Sequence, residues 1–148
     1  MSMYSAVNSR SGRTPHDHRA PPHTSDHAVW NRMLTLHAQV ERELALALQR
    51  ANGLGLSEFR SLEHLHHSED GELRMQDLAE RVGLEPSSVS RLVGRLEKPG
   101  FAYKDVCPSD RRGVYAVITD DGRRRYESAR ATYAEALSST LNTLSATP

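Results

Sequence analysis

The stretch "LRMQDLAERVGLEPSSVSRLVGRLEK", Leu73 to Lys98, carries two short helical patterns separated by a turn. The first pattern stops at Gly83, and glycine readily takes the left-handed conformation at a helix end. Pro86 suits the first position of the second helix, because its missing N–H is not needed there. In that helix the apolar residues recur at i, i+3, i+4 and i+7, at Val89, Leu92, Val93 and Leu96. Two short helices joined by a glycine-containing turn predict a helix-turn-helix.

A β-hairpin is predicted directly after the second helix, with strands at Phe101–Val106 and Gly113–Ile118. The segment between the strands carries Asp110, Arg111 and Arg112. A basic ribbon beside a recognition helix is a wing, and an arginine at its tip suits the strongly negative minor groove of DNA. Asp110 lies two residues before Arg112, close enough to hold and aim its guanidinium group.

Long helical periods flank this central part. The apolar residues of the segment 26–53 recur at three- and four-residue steps, at Val29, Met33, Leu36, Val40, Leu44 and Leu48. At 1.5 Å per residue such a helix is ~37 Å long, more than a small domain needs internally. The segment 120–148 repeats the period, and Thr119 or Asp120 is the predicted cap of its helix. Residues 1–25 have almost nothing to bury and are predicted to form a disordered tail.

The predicted fold is mainly α, of the α+β type, with a winged helix-turn-helix lobe at residues 54–119 between two long dimerisation helices. Within the lobe, Ser57 is the predicted N-cap of the first helix. The lobe alone would have a marginal core, so the flanking helices are expected to pair with a second copy. The expected dimer contacts are Val29, Met33, Tyr126, Tyr133, Leu137, Leu141 and Leu144.

Composition narrows the class of protein. With 148 residues, one domain is expected, and the formal net charge of zero gives no argument for a nucleic-acid or membrane partner. The single Cys107 excludes an internal disulfide and a cysteine-based zinc finger. No apolar run approaches the ~18 residues of a membrane span, and no signal peptide follows Met1. We therefore expect a cytoplasmic protein with no membrane partner.

The candidate DNA contacts lie on the second helix of the pair and on the hairpin. Small hydroxyl groups near a helix start can approach bases or phosphates, and arginines one or two turns later can reach guanine edges. The helix dipole at that end also favours a phosphate. The candidates are Ser87, Ser88, Ser90, Arg91, Arg95, Lys98, Lys104, Asp110, Arg111 and Arg112.

From about Trp30 to Gly122 the chain resembles the MarR/SlyA family of winged-helix transcriptional regulators. The matching pieces are "GLSEFRSLEHL", "MQDLAERVGLEPSSVSRLVGRLEKPG", "DRR" and "ITDDG", in the family's order and spacing. The resemblance implies a homodimer on a pseudo-palindromic double-stranded operator, with Pro86–Lys98 in the major groove. It also implies that Asp110 and Arg112 are the wing pair, and that the first and last helices form the dimer interface.

Many members of that family respond to small aromatic or phenolic anions held between the dimer helices and the DNA-binding lobe. The resemblance therefore implies a repressor released by such an effector. The candidate effector contacts in this chain are Trp30, Arg32, His37 and Phe59.

Other functions stay open at this point. A metal-responsive regulator of the same fold could use His37, the cluster His64–His67 or the tail histidines, and a winged helix could serve protein contacts only. An enzyme is not expected, since the histidines lack the HExxH order and no phosphate loop or nucleophile elbow is present. No catalytic residue, metal ligand or cofactor is predicted.

Overall fold

The computed structural model describes residues 22–106 and 113–146, with side chains from residue 25 onward. The described residues up to Leu34 form one compact unit, and those from Thr35 onward form a second. The helices are α1 (Pro22–Asn52), α2 (Leu56–His67), α3 (Met75–Val82), α4 (Pro86–Glu97) and α5 (Asp120–Ser145), and the strands are β1 (Glu72–Arg74), β2 (Ala102–Val106) and β3 (Val114–Ile118). A short 3₁₀ turn at Glu69–Gly71 precedes β1. The predicted winged helix-turn-helix between two long helices is confirmed.

Three antiparallel strands form the sheet, in the order β1-β3-β2. Ala116 at the centre of β3 lies opposite Leu73 on one side and Lys104 on the other. The sequence predicts the hairpin of β2 and β3 but not β1. A strand of three residues is too short to show an alternating pattern, and its pairing with β3 depends on contacts that are distant in sequence.

Two helix starts differ from the prediction. α1 begins at Pro22, inside the segment predicted as a tail, because proline is well tolerated in the first turn of a helix. Residues 1–21 lie outside the described residues. α2 begins at Leu56 with Gly55 as its N-cap, so Ser57 is not the cap. Instead, the Glu58 carboxylate accepts a hydrogen bond from the Gly55 N–H at 3.1 Å.

The hydrophobic core lies within the second unit. Its largest fully buried side chains are Tyr126, Phe59, Leu44, Leu48, Leu54, Leu62, Leu65, Leu78, Leu92, Leu96, Val89 and Val93. Phe59 of α2 stacks on Tyr133 of α5 at 4.7 Å between ring centroids and packs against Tyr126 at 5.6 Å. Tyr126 was an expected dimer contact, and that prediction is wrong, because the side chain is 1% exposed inside a single chain.

An ion pair ties α1 to α2. Both terminal nitrogens of Arg60 donate hydrogen bonds to the Glu41 carboxylate, one of them at 3.0 Å. The hydrogen bond from Arg60 holds the pKa of Glu41 below its usual value, although burial opposes this. The same hydrogen bond raises the pKa of Arg60, so both groups stay charged and the contact is a charge-assisted one.

The start of α5 is packed tightly against the wing. Thr119 caps the helix as predicted, its Oγ1 accepting a hydrogen bond from the Gly122 N–H at 3.0 Å. The Thr119 hydroxyl donates to the Gly100 carbonyl at 2.6 Å, and the Thr119 N–H donates to the Phe101 carbonyl at 3.1 Å. A Cβ on Gly122 would lie 2.0 Å from that Phe101 oxygen. Only glycine allows this approach of helix and strand.

Candidate nucleic-acid interface

The turn between α3 and α4 sets the position of α4. Gly83 ends α3 with φ 71° and ψ 35°, a left-handed conformation that glycine adopts without a steric penalty. The Leu84 N–H then donates to the Ala79 carbonyl at 3.0 Å. Pro86 opens α4 two residues later, so the sequence signals for this turn are confirmed.

One face of α4 is fully buried in the hydrophobic core. Val89, Leu92, Val93 and Leu96 are each 0% exposed. The opposite side presents polar groups, with Ser87, Ser90 and Arg91 exposed and Ser88 half-buried. The predicted contact residues at the start of α4 therefore form one accessible row of hydroxyl and guanidinium groups.

Lys104 joins the wing to this row. Its N–H donates to the Glu97 carboxylate at 2.8 Å, and its ammonium group donates to the Ser90 hydroxyl at 3.1 Å. β2 is thus bonded to α4 at two positions, Ser90 and Glu97. These bonds place the Lys104 charge beside the hydroxyl row, which brings together two candidates that are 14 residues apart. Glu97 was missed in the sequence, since nothing local marks it as a partner of β2.

Arg95 and Lys98 lie nearer the end of α4 and line a cleft between helices. The Arg95 Nε is 3.4 Å from Glu58 Oε1, so its guanidinium forms an ion pair with the Glu58 carboxylate of α2. The Arg95 side chain is nevertheless 55% exposed. Lys98 follows the last residue of the helix and is exposed. The candidate contacts Asp110, Arg111 and Arg112 lie outside the described residues, as does Cys107. The last described pair of the hairpin is Val106 with Val114.

The model of the MarR family matches residues 52–113, from the end of α1 into the hairpin. Over these residues the chain is similar to the MarR family. Among solved structures, it is similar to the MarR family regulator Sco3205 of Streptomyces coelicolor in complex with DNA, with a TM-score of 0.75 and 29% identity over 80% of this chain and 75% of that one. A second similar structure is CouR of Rhodococcus jostii bound to p-coumaroyl-CoA, with a TM-score of 0.65 and 27% identity over 73% and 74% of the two chains.

Curated relatives match the chain over shorter segments. The transcriptional regulator YdgJ of Bacillus subtilis is 28% identical over 91 residues, which are 62% of this chain and 54% of that protein. The match thus spans about half the length of the relative. The MarR family is one of transcription regulators.

The candidate effector contacts differ in their exposure to solvent. Phe59 is 1% exposed in the core, so its assignment to an effector is wrong, because no ligand could reach the ring. Trp30 and Arg32 are exposed in the unit that ends at Leu34. His37 is also exposed and lies 3.6 Å from the Glu41 carboxylate.

The histidines at the end of α2 pack against α5. The His66 ring lies 4.7 Å from the Tyr126 ring, and His67 Nε2 is 3.2 Å from the Tyr126 hydroxyl. That hydroxyl donates to Glu63 at 3.3 Å. Burial lowers the pKa values of His64 and His66 and raises the pKa of Tyr126. The side chains described here include no group of three or more His, Cys, Asp or Glu arranged to hold a metal.

No helix among the described residues combines the length and apolar character required to cross a bilayer.

Proposed function

We propose that this protein is a homodimeric transcriptional regulator that binds a specific pseudo-palindromic DNA sequence, acting as a repressor that a small molecule releases. The observation that carries the DNA-binding role is the row of Ser87, Ser90 and Arg91, held outward by the fully buried opposite face of α4. The Lys104 ammonium group extends that row onto the wing. The similarity to a MarR family regulator solved in complex with DNA supports the DNA-binding role.

The proposed DNA contacts divide into two groups. The start of α4, with Ser87, Ser88, Ser90 and Arg91, would read bases in the major groove. Lys104, Arg111 and Arg112 would engage phosphates and the minor groove, and Asp110 would hold and aim the Arg112 guanidinium. Arg95 and Lys98 are proposed to contact the DNA backbone.

The test is a salt titration of binding to a selected operator and to random DNA. Arg91→Ala should relax base preference and weaken operator binding by ~1–3 kcal/mol, the range for a lost bidentate base contact. Arg112→Ala should weaken operator and random DNA alike and reduce the salt slope by about one phosphate equivalent. Asp110→Ala should reproduce part of the Arg112→Ala effect.

The matched control is Arg130→Ala, which removes an exposed arginine of α5 and should leave both affinities unchanged. If Arg91→Ala bound operator and random DNA as the wild type does, α4 would not be the reading helix. If Arg112→Ala did so, the hairpin would not act as a wing.

The homodimer is proposed from apolar side chains left in solvent. Val29, Trp30 and Met33 of α1 are 54–56% exposed, and Leu141 of α5 is 46% exposed. Tyr133, Leu137 and Leu144 are half-buried. Exposed apolar surface of this kind marks an interaction site, and a two-fold dimer matches a pseudo-palindrome with half-sites ~10 base pairs apart.

Sedimentation analysis at micromolar concentration should therefore give a dimer, and Met33→Glu should shift it toward monomer because a charge in an apolar interface is poorly tolerated. Glu80→Gln changes an exposed residue of α3 and serves as the control. A wild-type monomer at that concentration would exclude the proposed assembly.

Release by a small aromatic effector is supported by CouR, which was solved with p-coumaroyl-CoA. Trp30, Arg32 and His37 are the proposed contacts in this chain, and Phe59 is not. A screen of phenolic acids and acyl-CoA thioesters for release of the selected operator tests this role separately from DNA binding.

A further inference from the structure

Side-chain amines are scarce in this protein, and both of them lie in the proposed DNA-binding region. Of the 19 Lys and Arg residues in the sequence, only Lys98 and Lys104 are lysines. Lys98 directly follows α4, and Lys104 is the central residue of β2. The other basic side chains of this set are guanidinium groups, which stay protonated and are not acylated as lysine amines are. A reagent that attacks amines therefore modifies no side-chain amine outside this region.

The Lys104 amine is held at a defined place on the surface of α4. Its ammonium group donates to the Ser90 hydroxyl at 3.1 Å, and its backbone N–H donates to the Glu97 carboxylate at 2.8 Å. Ser90 and Glu97 are exposed, and Lys104 itself is half-buried. Because the nitrogen lies beside an exposed hydroxyl group, a small reagent in solvent can reach it.

Gly94 leaves open space on the same side of α4. It lies four residues after Ser90 and three before Glu97, and positions at this spacing share one face of a helix. A Cβ added at Gly94 would meet no atom of the described residues within 4 Å. An acyl group on the Lys104 nitrogen therefore has room beside the helix, between the two residues that Lys104 bonds.

Acylation would change the charge of Lys104 and keep its attachment to α4. The amide that replaces the ammonium group is neutral, but it retains one N–H, which can still donate to the Ser90 hydroxyl. The bond to Glu97 uses the backbone N–H and is not affected. The effect is therefore confined to the attraction between Lys104 and a DNA phosphate, which depends on salt and not on base sequence.

We propose that Lys104 is an N-acylation site, at which a small activated acyl donor reduces the affinity of this protein for DNA. The donor is an acyl phosphate or an acyl thioester, and the reaction is direct. This regulation rests on the proposed DNA-binding function.

The reaction is an acyl transfer without oxidation or reduction. The Lys104 nitrogen forms an amide bond with the acyl carbon, and the bond from that carbon to the phosphate oxygen or thiol sulfur breaks. The leaving group takes the electron pair of the broken bond. The ammonium group loses two protons in the process, one to the leaving group and one to water.

The experiment treats the full chain with acetyl phosphate and, in a separate arm, with acetyl-coenzyme A. Peptide mass spectrometry measures the acetylated fraction of each lysine, and salt titration with random duplex DNA measures the affinity before and after treatment. Lys98→Arg keeps Lys104 as the single lysine, Lys104→Arg keeps Lys98, and the double variant keeps neither. Each variant is compared with its own untreated sample, and thermal melts check that treatment leaves the protein folded.

Treated Lys98→Arg should lose roughly fivefold or more in affinity at about 0.1 M salt, and its salt slope should fall by about 0.9 for each acetylated Lys104, the value for one phosphate contact. Treated Lys104→Arg should show a smaller loss, because Lys98 lies beyond the end of α4. The double variant should be insensitive to treatment, which controls for acetylation of the amino terminus. The arm that modifies Lys104 identifies the class of donor.

The proposal is overturned if Lys104 stays unmodified in both arms, or if acetylated Lys98→Arg binds DNA as tightly as its untreated sample. A larger loss in treated Lys104→Arg than in treated Lys98→Arg would transfer the effect to Lys98 and contradict the assignment. If the untreated wild type bound no DNA, the proposed function would fail instead, and the mass spectra would still decide whether Lys104 is acylated.

Discussion

Replacing Gly122 with alanine should unfold much of this protein under conditions in which the wild type is stable. The added Cβ would lie 2.0 Å from the Phe101 carbonyl oxygen and 2.9 Å from Ile118 Cγ1. The backbone cannot simply move away, because the same oxygen accepts the Thr119 N–H, and the Gly122 N–H is itself capped by Thr119. Overpacking alone costs ~1–3 kcal/mol, and a lost cap adds ~1 kcal/mol.

The free energy of unfolding, measured by urea denaturation, should therefore fall by ~2–4 kcal/mol in Gly122→Ala. Gly94→Ala is the matched control, since a Cβ there meets nothing within 4 Å. That change in the middle of α4 should stabilise the protein by ~0.5–1 kcal/mol, because glycine is a poor helix residue. If Gly122→Ala lowered the free energy of unfolding by less than ~1 kcal/mol, below the usual cost of overpacking, the backbone at the contact of Gly122 with the Phe101 carbonyl would be able to shift at little cost.

Phe59→Ala should lower the free energy of unfolding by ~3–5 kcal/mol in the absence of any ligand, the range for truncating a buried aromatic side chain. Phe59 is 1% exposed and contacts both Tyr133 and Tyr126 of α5. Removing the ring leaves a cavity between α2 and α5, and aromatic pairing is lost as well.

Tyr103→Ala provides the comparison, because that ring is 47% exposed on β2. Its change in unfolding free energy should stay within ~0.5 kcal/mol, as is usual for surface positions. If Phe59→Ala were equally mild but altered the response to an aromatic ligand, Phe59 would line a ligand site after all. Urea denaturation with and without that ligand separates the two outcomes.

The helix-turn-helix was predictable because its signals are local. Gly83 and Pro86 mark the turn, and the spacing of four apolar residues in α4 matches a face that is 0% exposed throughout. The Thr119 cap follows from the same kind of local chemistry. For α5, the period predicts an apolar stripe, but it does not distinguish residues buried within the chain from residues left exposed on its surface. Tyr126 is covered by its own chain, whereas Leu141 is 46% exposed.

Contacts between distant segments could not be predicted in this way. The bonds of Lys104 with Glu97 and Ser90, and that of Arg95 with Glu58, form only after the wing and α2 reach α4. The cleft was missed for the same reason, since its lining residues come from several separate elements. The buried Asn52 amide carries no sequence signal at all, because asparagine followed by glycine usually marks a turn.

The attachment of Lys104 to α4 has a geometric consequence for the proposed DNA-binding role. β2 and α4 are linked through both the backbone N–H and the ammonium group of one residue, so these two hydrogen bonds oppose movement of β2 relative to α4. Under the proposed role, these bonds set the spacing between the Lys104 charge and the exposed residues at the start of α4. A half-site with one base pair inserted between the bases that α4 contacts and the DNA group that Lys104 contacts should therefore bind less tightly.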